Sequence, residues 1–83
     1  MKYYFYIVRT VDGNLYIGSS NNLNRRLIQH NSGRGAKFMK DHGEAEMVYS
    51  EEYSTYLEAR HREIQVKKWS RQKKENLIRG IKP

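Results

Sequence analysis

The chain has 83 residues, no cysteine and a net charge of +7. A domain of this length buries only about 60% of its unfolded surface, and with 37% AVILMFWYC residues and a mean hydropathy of -0.97 its core must be thin. Disulfide staples and thiolate metal sites are excluded, which suits a reducing cytoplasm, and no apolar run is long enough to span a membrane. The basic excess is uneven: residues 1–59 hold seven Lys/Arg and seven Asp/Glu, whereas residues 60–83 hold nine and two. Such a face attracts polyanions by counterion release, although a solvated Lys-rich helix surface reads the same way.

Lys2 and the apolar run after it resemble the start of a signal peptide, but the run is too short and Arg9 and Asp12 interrupt it. Residues 3–9 (YYFYIVR) are aromatic or β-branched up to Arg9 and predict a strand. Both parities are apolar, so both faces should be covered. Val11-Asp12-Gly13-Asn14 is a turn signal, and Leu15-Tyr16-Ile17 is the second strand. A two-residue Asp12-Gly13 loop would pair Arg9 with Tyr16 and send Tyr6 and Tyr16 to opposite faces. A three-residue Asp12-Gly13-Asn14 loop would pair Thr10 with Tyr16 and put Tyr6, Val8, Tyr16 and Gly18 on one face.

Gly18-Ser19-Ser20-Asn21 leaves the strand, and serine or asparagine caps a helix expected from about Asn22 to His30. With Leu23 set at zero and about 100° per residue, Arg26 falls near 300°, Leu27 near 40° and His30 near 340°. Arg26 and His30 therefore share the stripe that packs on the sheet, while Arg25 points to solvent. Residues 31–45 form a polar, glycine-punctuated loop containing Arg34 and Lys37, and Met47–Tyr53 predicts a third strand.

Tyr56–Trp69 predicts a second long helix. On it Tyr56, Leu57, Ala59, Ile64 and Val66 span an apolar arc, with Glu63 in its middle and Arg60 and Lys67 flanking it at i-3 and i+4. A carboxylate on a buried face is costly unless it meets a cation or a metal; a helical ion pair with Lys67 is the bland alternative. Ser70–Ile81 is a short basic helix anchored by Leu77 and Ile78. There is no repeat or linker, so residues 1–83 should form a single α/β domain of the α+β type. It should carry a three-stranded, mostly antiparallel sheet flanked by helices, in the order β-β-α-β-α-α.

The inward candidates Tyr6, Tyr16, Arg26, His30 and Glu63 together suit phosphodiester hydrolysis. A guanidinium holds a phosphate bidentately, one carboxylate holds a Mg²⁺ ion that keeps its waters, and a tyrosine hydroxyl can help to take a proton from water. The three histidines lack metal-ligand spacing, which argues against zinc. Arg34, Lys37, Lys67, Lys68, Arg71, Lys73 and Lys74 are the candidates for contacts to nucleic acid.

Phe5-Tyr6-Ile7, then Tyr16-Ile17-Gly18, then Arg26-Leu27-Ile28-Gln29-His30, resemble the GIY-YIG nuclease superfamily. Glu58–Glu63, followed by Lys67 and Trp69, resembles that family's helix with its metal-binding glutamate. The likeness covers nearly the whole chain and is strongest to the small stand-alone bacterial members. It implies a three-stranded antiparallel sheet and Mg²⁺-dependent (or Mn²⁺-dependent) cutting of DNA, and a structure-selective role in repair or recombination is compatible with it. It also implies that Tyr6 and Tyr16 are the motif tyrosines, Arg26 the phosphate-binding arginine, His30 the histidine one turn later and Glu63 the metal ligand. Shared work by both tyrosines needs them on one face, which selects the three-residue loop. Phe5 stands where the motif has glycine, and Asn76 is the nearest match to a late asparagine that some members carry. The competing readings are a nucleic-acid-binding module without catalysis and a protein-interaction domain with a solvated basic tail. A protein partner that supplies substrate affinity fits the first two.

Overall fold

The computed structural model describes residues 1–31 and 45–82, apart from the side chains of residues 29–31. The expected loop with Arg34 and Lys37 lies outside them, as does the His30 side chain. Three strands, β1 (Tyr3–Thr10), β2 (Leu15–Ser20) and β3 (Ala45–Tyr53), form a sheet of order β2-β1-β3 in which both pairs are antiparallel. Among the described residues three helices accompany it: α1 (Leu23–Asn31), α2 (Tyr56–Lys67) and α3 (Arg71–Ile78). Element order and architecture are those the sequence predicts.

The central strand β1 is apolar on both parities because it feeds two cores. Phe5 and Ile7, with Ile17 of β2, meet Val66 of α2 and Leu77 of α3 on one face. Tyr6 and Val8, with Ala45 of β3, meet Leu23 and Leu27 of α1 on the other. Phe5 is fully buried against the Tyr49 ring, so a glycine here would leave a void in the first core. A bulge in β3 between the partners of Ile7 and Val8 leaves Val48 unpaired. It turns Met47 toward the α1 core while Val48 and Tyr49 both serve the other.

The hairpin pairs Val8 with Tyr16 and Tyr6 with Gly18, so Tyr6, Val8, Tyr16 and Gly18 do share a face. The loop itself differs from expectation. It is Val11-Asp12-Gly13, closed by Gly13 N–H to Thr10 C=O and Thr10 N–H to Asn14 C=O, both 2.9 Å, and Thr10 therefore lies opposite Asn14 rather than Tyr16. Gly13 sits at φ 89°, the left-handed position that ends a type I turn in a three-residue hairpin loop. Slipping the pairing by two residues preserves the faces.

Gly18 is required for space rather than for backbone freedom. A Cβ there would lie 2.5 Å from the Tyr6 hydroxyl oxygen and 2.7 Å from Cζ of its ring. The Tyr6 ring, only 2% exposed, lies across the gap in β2 and has nowhere to retreat.

The helices are capped as their sequences suggest. Asn22 Oδ1 accepts the Arg25 N–H at 2.9 Å at the start of α1. Thr55 Oγ1 accepts the Glu58 N–H to start α2, and Ser70 Oγ accepts the Lys73 N–H to start α3. The apolar arc expected on α2 is narrower than its residue types imply. Ala59, Glu63 and Val66 are buried, but Tyr56, Leu57 and Ile64 are 53%, 62% and 40% exposed, because the sheet covers only one stripe of the helix.

Helix α3 is fastened to the hairpin by charge. Arg9 grips Glu75 through two hydrogen bonds of 2.7 and 2.9 Å, and Arg71 Nε adds a third at 2.9 Å while Arg71 Nη2 donates to the Gly13 carbonyl. These guanidinium contacts, Arg9 first, hold the Glu75 carboxyl down to about 2.

Two outcomes are expected. Glu75 keeps its proton off in the folded chain but takes it up near the ordinary 4.5 when unfolded, so its contribution is complete above that value and is lost as pH falls toward 2. Glu75→Gln should lower stability at pH 7 by about 1–2 kcal/mol and flatten the acid limb of a melting-temperature profile; an unchanged profile would show that the clasp carries no stability. Gly18→Ala should cost about 1–3 kcal/mol through the clash with Tyr6. Denaturant unfolding with an unshifted midpoint, together with unmoved Tyr6 ring resonances, would refute that packing argument.

Candidate active site

The site lies where β1 begins, β2 ends and both α1 and α2 start. Strand β2 continues past the motif glycine through Ser19 and Ser20, which were expected to leave the sheet. Ser19, opposite Phe5, therefore faces α2 and donates its hydroxyl to Glu63 Oε1 at 2.7 Å.

Glu63 is 4% exposed in the buried stripe of α2. Arg60 Nη1 meets its Oε2 at 2.6 Å and Lys67 Nζ meets the same oxygen at 2.7 Å. Burial pushes this carboxyl up, but Lys67, Ser19 and Arg60 together outweigh it and hold the group below the ordinary value. Glu63 is thus inward-facing and ion-paired, and the pairing with Lys67 that was the bland alternative is present.

Tyr6 brings the remaining candidates together. Burial pushes its hydroxyl up to about 12; Arg26 pulls it down, and Tyr16 and Glu63 raise it further. One tyrosine hydroxyl thus lies within electrostatic reach of Arg26, Tyr16 and Glu63, three residues from three different elements. Arg26 is half-buried in the first turn of α1, and its Nε is a buried donor without a hydrogen-bond partner among the described residues. His30 lies one turn further along α1.

Arg26 and Ser19 also line an open cleft of about 450 Å³, together with Tyr3, Ser20, Asn21, Arg25 and Tyr56. Arg25 is exposed, as expected, but its Nη2 donates to Asn21 Oδ1 at 3.0 Å, which places it on the cleft wall rather than free in solvent. Ser19, Tyr3 and Tyr56 are absent from the residues singled out by sequence. The only signal for Ser19 is its place beside Gly18, and nothing in the spacing marks the two tyrosines.

The late basic residues are less available than their count implies. Lys67 is held by Glu63, Arg71 by Glu75 at the hairpin end, and Lys73 lies 4.6 Å from the centre of the Trp69 ring, whose vicinity Arg62 shares at 5.1 Å. Arg71 sits at the Arg9 end of β1, about 20 Å along the strand from Tyr3 and the cleft. Lys68 is exposed and Lys74 half-buried. Asn76 accepts from Gln72 at 3.0 Å on α3, away from the four converging residues.

Among the described residues no group of three or more His, Asp or Glu gathers into a metal cage. A single ionised carboxylate beside a serine hydroxyl fits a hard, oxygen-seeking divalent ion that fills its shell with water and phosphate oxygens. Among the described residues no helix is long and apolar enough to cross a membrane.

Comparison with known proteins identifies the family. Residues 2–76 match the GIY-YIG catalytic domain. A UPF0213 protein of Staphylococcus saprophyticus is 46% identical over 77 residues, covering 93% of this chain and 94% of its own, and one from Bacillus pumilus is 40% identical over 98% of this chain and 83% of its own. The solution NMR structure of a UPF0213 protein from Bacillus halodurans superposes with a TM-score of 0.60 at 37% identity, covering 94% of this chain and 83% of that one. A solution structure from E. faecalis superposes with a TM-score of 0.66 at 34% identity, covering 96% and 85%. On its sequence and on its fold, the chain belongs to the GIY-YIG catalytic domain family.

Proposed function

We propose that the protein is a divalent-metal-dependent endonuclease that hydrolyses phosphodiester bonds in DNA. The observation that carries this reading is the buried Arg26 Nε without a partner among the described residues, in a cleft that Arg26 shares with Ser19, whose hydroxyl holds the buried Glu63 carboxylate. A buried guanidinium N–H without a partner is a donor already stripped of water, and a phosphate oxygen would satisfy it. Arg26 would hold the scissile phosphate and stabilise the charge that develops on it. Glu63, with Ser19 steadying its Oε1, would hold the Mg²⁺ or Mn²⁺ ion. That ion would supply the positive charge that neutralises the phosphate and acidifies the attacking water. With its hydroxyl near 12, Tyr6 keeps its proton at neutral pH and serves as a donor that orients an oxygen in the site. Tyr16, half-buried on the same face, is the tyrosine with more access to an incoming water. His30, one turn beyond Arg26 in the sequence of α1, is assigned to the same reaction by the family resemblance alone.

The described elements are few and short, which favours selection by nucleic-acid structure over base sequence. This agrees with a role in repair or recombination and with slow turnover until a protein partner supplies affinity. A second reading, a nucleic-acid-binding module without catalysis, draws on the same Glu63: Arg60 and Lys67 already occupy its Oε2, as they would in a purely structural ion triad.

Cleavage of labelled single-stranded, duplex and branched DNA in Mg²⁺, Mn²⁺ or EDTA separates the two. Cutting should require the metal. Glu63→Gln should reduce it by at least about 10³-fold while leaving binding within a few-fold, and Arg26→Ala should slow it by about 10²–10³-fold and weaken binding as well. Binding without cutting, equal in wild type and Glu63→Gln, would establish the non-catalytic module instead.

A further inference from the structure

We infer that the cleft between Tyr3, Tyr56 and the Ser19–Asn21 segment is a nucleobase subsite, which takes one unpaired base of a strand whose phosphate Arg26 holds. The inference rests on the nuclease reading and narrows its substrate to DNA with an unpaired nucleotide beside the scissile phosphate.

The two tyrosines are the first observation. Tyr56 begins the helical stripe that Ala59, Glu63 and Val66 continue, yet it is 53% exposed. Its ring packs edge-to-face on Tyr3, with centroids 6.0 Å apart and planes at 70°. In that geometry one ring fixes the other while leaving aromatic surface toward the cleft. Exposed tyrosine rings with one side open are the usual platform for an unstacked base.

The cleft's shape and polarity agree. Its volume of about 450 Å³ is in the range of small-ligand pockets, ~300–1,000 Å³. The lining also includes Ser19, Asn21, Arg25 and Arg26, which offer donors and acceptors to a base edge and positive charge to its phosphates. A base paired inside a duplex cannot turn its face into such a concavity, so the occupant must be unpaired. Tyr56 precedes Glu63 by two turns, about 10 Å along the helix. That separation assigns the cleft to a neighbouring nucleotide and leaves the scissile phosphate at Arg26 and Glu63.

The test uses Glu63→Gln protein, so that binding is measured without cutting, and a single-stranded oligonucleotide in which an abasic unit is moved one position at a time. Abasic placement at one position should weaken binding about tenfold. Adding Tyr56→Ala should cause a similar loss with the intact strand and remove the abasic penalty, whereas Tyr56→Phe should preserve both. Tyr56 is exposed, so its loss leaves the fold intact, and a circular dichroism melt checks this. A uniform response to the abasic unit at every position, or full affinity after Tyr56→Ala, would overturn the subsite while leaving the nuclease reading standing. No binding to any oligonucleotide would defeat both.

Discussion

The Tyr6 ring lies across Gly18, and the rest of the site depends on that contact. The gap left by a residue without a side chain lets a fully grown tyrosine lie flat over the neighbouring strand, almost wholly removed from water. That fixes the pairing of β1 with β2, since any slip would bring a side chain under the ring. It also keeps the Tyr6 hydroxyl within electrostatic reach of Arg26, from the first turn of α1, and of Glu63, from the middle of α2. Odd-numbered residues of β1 are then committed to the opposite core, where Phe5 and Ile7 are fully buried. One cross-strand contact thus divides a chain with few apolar residues into two thin cores and sets a polar site at their end.

Much of this was legible before any coordinates. The alternation of Tyr6, Val8, Tyr16 and Gly18 carries the shared face, and Leu23 with Leu27 carries the stripe on which Arg26 rides. Parity is robust because a shift of two residues leaves it intact; for the same reason it left the loop open, and Gly13 rather than Asn14 closes it. Residue type misled on α2. Leu57 and Ile64 look like core residues, but a three-stranded sheet is too narrow to cover their side of the helix. Ser19 was hidden because its role comes from the length of β2, which a polar Ser-Ser pair does not advertise.

The basic last third illustrates a different limit. Formal charge counts residues, whereas electrostatic attraction depends on what those residues already touch. Arg60 and Lys67 neutralise Glu63, Arg62 binds Glu51, and Arg71 binds Glu75. Glu51 in addition accepts hydrogen bonds from the Tyr49 and Tyr53 hydroxyls, each at 2.6 Å, so it organises the α2-facing side of the sheet. Many of the late cations therefore bind helices to strands, and a uniform basic face for polyanions does not follow from their number.

The double ion pair on Glu63 also bears on how a ligand would enter. Its Oε2 is shared by two partly exposed cations, so a metal ion can take that oxygen only in competition with them. A phosphodiester offers Arg60 and Lys67 another anion, and once they turn to it the carboxylate is left in need of positive charge. On the proposed function, cation and nucleic acid would therefore bind with positive cooperativity, each improving the site for the other. The folded chain meanwhile needs neither, because the internal ammonium and guanidinium groups act as stand-in counterions until both arrive.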